Sequence, residues 1–272
     1  MEIVDIMMCH VCRAEFKHKG NSIVCESGHC FDISHLGYIN MLAGSRAFHG
    51  DNSLMIEARQ RFLESGAYSH LSLKICDILA DNVKENCVIV DVGCGNGYYS
   101  DAVKRRLDSL GIKSRIFAFD VSKYAVCATA KKNKSLNTCV ASVFSIPYRD
   151  SSADAVISVF SPLSLNEFSR ILKKGSLLVM ALPNPRHLYA LKQCLYETPY
   201  ENEVKSTDID GFELTGNYDV ARNISLGHDA LMDLFMMTPY YYRTSDKDKE
   251  KISSLEKLTV EADFKILTYK KL

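Results

Sequence analysis

The chain has 272 residues, 47% of them hydrophobic and 24% charged, with 33 basic side chains against 33 acidic ones. That is the composition of a soluble globular protein with room for one large domain and a small one. No apolar stretch approaches the roughly 20 residues needed to span a bilayer, so no membrane association is expected, and a zero net charge argues neither for nor against nucleic acid. The opening Met1-Glu2-Ile3-Val4-Asp5 carries acids where a signal peptide would carry bases, and a cytoplasmic location is expected.

The first element is a pair of knuckles. Cys9-His10-Val11-Cys12 and Cys25-Glu26-Ser27-Gly28-His29 form C-x2-C and C-x3-H. Such spacing suits tetrahedral zinc. The polar stretch between them holds the turn signal Gly20-Asn21 and predicts a hairpin that brings the knuckles together. The expected ligands are Cys9, Cys12, Cys25 and His29, with Cys30 in reserve and His10 a neighbouring alternative. Four protein ligands leave no open position, so the zinc is structural. A module this short folds largely on the metal. The other six of the ten cysteines lie in apolar or helical context and read as small core residues.

Residues 1–45 form this zinc-binding module and 46–84 a helical linker. In the linker, Asp51 or Ser53 can cap a helix containing Met55 to Leu63. Gly66 ends that helix and Tyr68 opens the next.

From 85 to 272 short apolar runs alternate with helical stretches. Strands are expected at 87–92, 115–120, 137–141, 154–160 and 176–182. This is the pattern of an α/β fold, a parallel sheet with helices on both faces. Two basic runs, Lys104-Arg105-Arg106 and Lys131-Lys132-Asn133-Lys134, read as solvated helix faces. Residues 199–210 read as an exposed connection. Short antiparallel strands are expected at Gly211 to Leu214 and Phe264 to Leu267.

The most informative stretch is Asp91-Val92-Gly93-Cys94-Gly95-Asn96-Gly97, between an apolar strand and a helix. A dinucleotide loop wants G-x-G-x-x-G, but its last glycine would fall at Tyr98 or Ser100. G-x-G-x-G with an acid two places ahead instead resembles motif I of the S-adenosylmethionine-dependent methyltransferases. Asp120 ends the next strand, where an acid can accept two hydrogen bonds from ribose hydroxyls.

A closer resemblance runs in order along most of the chain. The knuckles are followed by Phe31-Asp32, Gly37-Tyr38-Ile39-Asn40-Met41-Leu42 and Gly50-Asp51, then Met55, Ala58-Arg59, Phe62-Leu63, Gly66 and Tyr68. Downstream stand Phe119 to Lys123, Phe160-Ser161-Pro162, Pro185-Arg186-His187-Leu188 and Met237-Thr238-Pro239-Tyr240. Together these resemble the bacterial 23S rRNA (guanine-N1)-methyltransferases. The resemblance implies a class I (Rossmann-like) methyltransferase domain behind an amino-terminal zinc module, often as a homodimer. It implies S-adenosylmethionine as cofactor and, as partner, 23S rRNA with its target guanine in a hairpin loop. In one branch the methylation contributes to resistance to macrolides such as tylosin. By position, Tyr68, Gly95, Asn96 and His187 match cofactor contacts of the family; Asp91, Gly93, Gly97 and Asp120 complete the expected cofactor set. Asn96 replaces a glutamate of some members, and Ser161 a common alanine.

The implied reaction is displacement at the sulfonium methyl by guanine N1, which must lose its proton. Asp51 and Glu57 are unranked candidates for a base, so the catalytic group stays unknown. Phe160-Ser161-Pro162-Leu163 lacks the [DN]-P-P-[FY] of amino-directed enzymes, which agrees with a ring-nitrogen target. Phe160 or Tyr240 could stack on a splayed-out base.

Overall fold

The computed structural model describes residues 2–42, 50–204 and 206–272. Three short strands open the chain: β1 (Phe16–Lys19), β2 (Ser22–Cys25) and β3 (Cys30–Asp32) form an antiparallel sheet of their own. In β2, Ile23 and Cys25 are buried while Ser22 and Val24 are half-buried, as a sheet with one wet face requires. A further two-residue strand, β4 (Ile39–Asn40), leads out of this module. The boundary expected at 45/46 lies outside the described residues.

Two helices follow, α1 (Ser53–Glu64) and α2 (Ser69–Asn82). The cap of α1 is Asn52, whose side chain accepts the Met55 N–H at 3.0 Å. It is neither Asp51 nor Ser53, because the Asp51 carboxylate pairs with Arg59 and Ser53 already lies in the helix.

The core then alternates β5 (Cys87–Val92), α3 (Tyr98–Ser109), β6 (Ser114–Asp120), α4 (Lys123–Lys132), β7 (Asn137–Val140), β8 (Ala153–Val159), α5 (Leu165–Ile171), β9 (Leu172–Pro183) and α6 (Tyr189–Leu195). It ends with β10 (Phe212–Gly227), α7 (His228–Met236), α8 (Tyr240–Arg243), α9 (Asp246–Ser253) and β11 (Lys257–Lys271). The large sheet has the order β10-β11-β9-β8-β5-β6-β7-β4. Pairings from β9 through β4 are parallel, and β11 runs antiparallel to both β9 and β10. All six residues of β5 are buried, the signature of a central strand covered on both faces. The expected α/β methyltransferase architecture is therefore present.

Three features depart from expectation. The last two strands are 16 and 15 residues long, far beyond the short segments anticipated. Most of β10 is solvent-facing at the sheet edge, so it lacks the apolar run by which strands were recognised. The amino-terminal module also contributes a strand to the large sheet, since β4 pairs with β7. Met7 bridges to Tyr148, and the Arg149 N–H donates to Ile6 O at 2.8 Å. Finally, the connection at 199–210 is mostly exposed but anchored. The fully buried Lys192 ammonium donates to Asn202 Oδ1 at 2.7 Å and Tyr200 O at 3.0 Å.

The basic run on α3 is tied to carboxylates: Lys104 to Asp108, Arg105 to Asp101 and Arg106 to Asp77. It is thus a solvated helix face, as expected.

Two apolar layers sandwich the sheet. One joins Phe62, Leu71, Ile75, Leu107, Leu191 and Phe235 from the helices. The other joins Met7, Phe16 and Ile23 of the amino-terminal module to Val90, Phe117, Tyr148 and Phe168. Phe117 is fully buried in this second layer, edge-on to Tyr148 at 5.5 Å. Phe117→Ala is expected to cost about 3–5 kcal/mol through lost transfer energy and a residual cavity. Urea unfolding checks this; an unchanged midpoint would contradict the packing described.

Candidate cofactor pocket and metal centre

The ligand atoms of Cys9, Cys12, Cys25 and His29 lie within 4.8 Å of one another. Cys12 Sγ is 3.6 Å from Cys25 Sγ; His29 Nδ1 is 3.6 Å from Cys9 Sγ and 3.3 Å from Cys25 Sγ. Tetrahedral zinc with bonds of about 2.3 Å to sulfur and 2.0–2.1 Å to nitrogen requires ligand separations of about 3.5–3.8 Å. The donor set fits the ion. Two backbone knuckles produce this geometry. Arg13 N–H donates to Cys9 O at 2.7 Å with Arg13 at φ 64°, and Gly28 N–H donates to Cys25 O at 2.9 Å with Gly28 at φ 84°. Hydrogen bonding from Ser27 and from the Ala14 backbone holds the Cys12 thiol down at about 6, which favours the thiolate that metals bind. Cys30 is exposed and begins β3. His10 sits edge-on to Phe31 at 5.2 Å, outside the ligand group.

The second site lies at the carboxyl ends of β5, β6 and β8. Gly93 and Cys94 both donate N–H bonds to Phe119 O at 2.9 Å, which folds the glycine loop over β6. Gly95 N–H donates to Asp120 Oδ2 at 3.0 Å and Ser122 N–H to Asp120 Oδ1 at 2.8 Å. Burial still raises the Asp120 carboxyl above its ordinary range, against those two bonds. Each oxygen keeps a further lone pair for a ligand hydroxyl.

The glycines serve different needs. A Cβ at Gly93 would stand 2.7 Å from Ser161 Cβ, and one at Gly97 2.6 Å from Thr129 Cγ2. Both therefore permit close packing of neighbouring elements. A Cβ at Gly95, at φ 56°, would instead meet the Arg59 guanidinium at 3.3 Å.

Three buried polar atoms around this loop have no partner among the described residues: Asn96 Nδ2, Tyr68 Oη and Tyr99 Oη. Buried polar groups are normally satisfied, so these atoms point to a polar ligand. The buried Asn96, Tyr68 and Tyr99 atoms lie on the same side of the fold as the Asp120 carboxylate. Asp91 faces inward: its carboxylate accepts from Ser100 Oγ, and burial pushes it up to about 7. It braces β5 against α3.

Tyr68 and His187 are brought to one wall, with ring centres 6.1 Å apart, and Phe264 lies 4.8 Å from Tyr68 and 4.7 Å from His187. His187 Nδ1 accepts the Asp263 N–H at 3.3 Å, which puts the ring proton on Nε2. Phe160 is 42% exposed and takes φ 56°, a region unusual for a non-glycine residue. Its ring lies nearly parallel to His187 at 6.3 Å. Tyr240 approaches the Tyr196 ring at 6.4 Å. Of the candidate bases, Asp51 is ion-paired to Arg59, while Glu57 is exposed and lines a groove between α1 and α4. Sequence reasoning missed Arg59, Tyr99 and Phe264. Arg59 had a signal in its Ala58-Arg59 match, whereas Tyr99 and Phe264 reach the site only through the fold.

Metal analysis of the purified chain should give one zinc per molecule, and Cys25→Ser should lose it; a metal-free wild type would remove the zinc assignment. The pH response supplies a second test. Burial brings His187 down to about 3, against 6.5 for the free side chain. Its contribution to stability is therefore complete above pH 6.5 and is lost as pH falls toward 3. Asp91, raised from 3.8 to about 7, acts oppositely: its contribution is complete below 3.8 and lost as pH rises through 7. Between about pH 4 and 6.5 the two oppose. In His187→Asn the His187 contribution drops out while the others, Asp91 among them, remain. The variant's stability deficit against wild type should shrink on acidification by up to about 1.4 kcal/mol per pH unit. A deficit that stays constant across this range would refute the buried neutral imidazole.

Comparison with known proteins finds both modules. Residues 90–180 match the family model of a methyltransferase domain, and residues 7–44 match the zinc-ribbon model described as "RlmA, N-terminal". The chain is 30% identical to YxjB of Bacillus subtilis (strain 168), named provisionally as a 23S rRNA (guanine-N1)-methyltransferase, over 97% of this chain and 98% of that one. It is 28% identical to the 23S rRNA (guanine(748)-N(1))-methyltransferase of Streptomyces fradiae, over 93% of this chain and 92% of that one. A Micromonospora griseorubida protein, also provisionally a 23S rRNA (guanine-N1)-methyltransferase, is 27% identical over 90% and 89%. Among the described residues no helix is long and apolar enough to cross a membrane. Similar to the Bacillus subtilis protein over nearly its whole length, the chain belongs to the 23S rRNA (guanine-N1)-methyltransferase family.

Proposed function

We propose that this chain methylates N1 of a guanine in a hairpin loop of 23S rRNA, in the cytoplasm, with S-adenosylmethionine as donor. The observation that carries this reading is the cluster of partnerless Asn96, Tyr68 and Tyr99 atoms around the glycine loop and Asp120, in a chain whose relatives carry that activity in their names.

The cofactor supplies a methyl group already activated by positively charged sulfur. Asp120 would accept the ribose hydroxyls. Gly93, Gly95 and Gly97 shape the loop, and Asp91 braces it from behind. Asn96, Tyr68 and neutral His187 would line the amino-acid end. The chain's contribution to rate is then mainly orientation in a water-poor site. Phe160 offers an exposed ring beside His187 on which an unstacked base can lie. The N1 proton leaves to solvent during transfer. The four-ligand zinc site has no open position and holds the amino-terminal module in shape.

Methylation at N1 blocks the Watson–Crick edge, so reverse transcription should stop at the modified guanine. Purified protein, 23S rRNA and cofactor should create a stop that is missing without the cofactor. Gly95→Arg is the matched control. A side chain there meets Arg59, and transfer should fall by at least about 100-fold through misplacement. Identical stops with and without the wild-type enzyme would end the proposal.

A further inference from the structure

We propose that Arg59 takes the α-carboxylate of the cofactor, with Asp51 as the counterion exchanged for it. This rests on the cofactor reading above and adds a residue to it. Arg59 lies on α1 and is largely sheltered, its side chain 22% exposed against 28% for Asp51. One guanidinium nitrogen pairs with Asp51 and stands 3.3 Å from where a Cβ at Gly95 would be; the other reaches Met237 O at 3.5 Å. The Asp120 carboxyl feels both partners, Asp51 pushing it up and Arg59 pulling it down. The pair therefore lies close to both the middle of the glycine loop and the Asp120 carboxylate.

The strap carrying it is fixed. Ser122 Oγ donates to Asp51 O at 2.5 Å, and a Cβ at Gly50 would be 2.9 Å from Ser122 Cβ. Asn96, Tyr68 and Tyr99 offer only neutral donors. A carboxylate leaving water needs a cation with matched hydrogen-bond geometry, which the planar guanidinium provides. Lys192, a buried cation near His187, is already engaged by Tyr200 O and Asn202. Exchanging one carboxylate for another at Arg59 changes no charge at the guanidinium. It frees Asp51 without moving the loop.

The test compares two ligands by calorimetry on the full chain: S-adenosylhomocysteine and its decarboxylated form, which keeps the adenosine, thioether and amine. Arg59→Met should weaken S-adenosylhomocysteine by about 10- to 100-fold, the range for a charge-assisted bond, and leave the decarboxylated ligand within about threefold, since it makes no such bond. Arg59→Lys should recover part of the loss. If Arg59→Met does not fold, Asp51→Asn serves. Removing the competing counterion should tighten S-adenosylhomocysteine relative to the decarboxylated ligand. Equal effects on both ligands, or none, overturn the assignment, including the case in which Arg59 instead meets an RNA phosphate. A wild type that binds neither ligand would bring down the cofactor reading itself.

Discussion

The functional end of this molecule depends on one half-buried carboxylate, Asp120. Asp120 receives the Gly95 N–H through one oxygen and the Ser122 N–H through the other, and so joins the turn after β5 to the turn after β6. Neither turn has a regular ladder to hold it at that point. Burial works against the charged form, and the backbone donors offset that cost in part. Two further backbone bonds, from Gly93 and Cys94 to Phe119 O, add to the same junction. A ligand hydroxyl arriving at Asp120 thus meets an acceptor already oriented.

Around this junction the chain gathers residues from distant segments. Tyr68 opens α2, Phe160 follows β8, His187 precedes α6 and Phe264 sits in β11, yet their rings touch in sequence along one wall. The metal-binding module is bound to the same body. It shares an apolar layer with the central strands and extends the sheet through β4. Loss of its metal would loosen an edge of the catalytic sheet as well as the module.

Much of this was legible in the sequence because local chemistry was enough. The knuckle spacing of Cys9, Cys12, Cys25 and His29 names its own geometry, and Asp91 to Gly97 followed by Asp120 needs only a strand, a turn and a second strand. The β5 to β9 region was readable because buried parallel strands are continuous apolar runs. What escaped depended on tertiary placement. β4 has too few residues to carry a period, and β10 hides its strand character behind a polar face. The helix cap passed to Asn52 because Asp51 had a stronger partner in Arg59. That pairing crosses to the glycine loop only once α1 has docked.

The position of β11 carries a consequence for synthesis. It follows every other strand in the chain, yet it inserts between β9 and β10 and brings Phe264 to the wall of the pocket and the Asp263 N–H to His187. While a copy is still emerging from the ribosome, β10 has no neighbour and His187 has no backbone donor. That wall is therefore completed only once the last of these strands has been made.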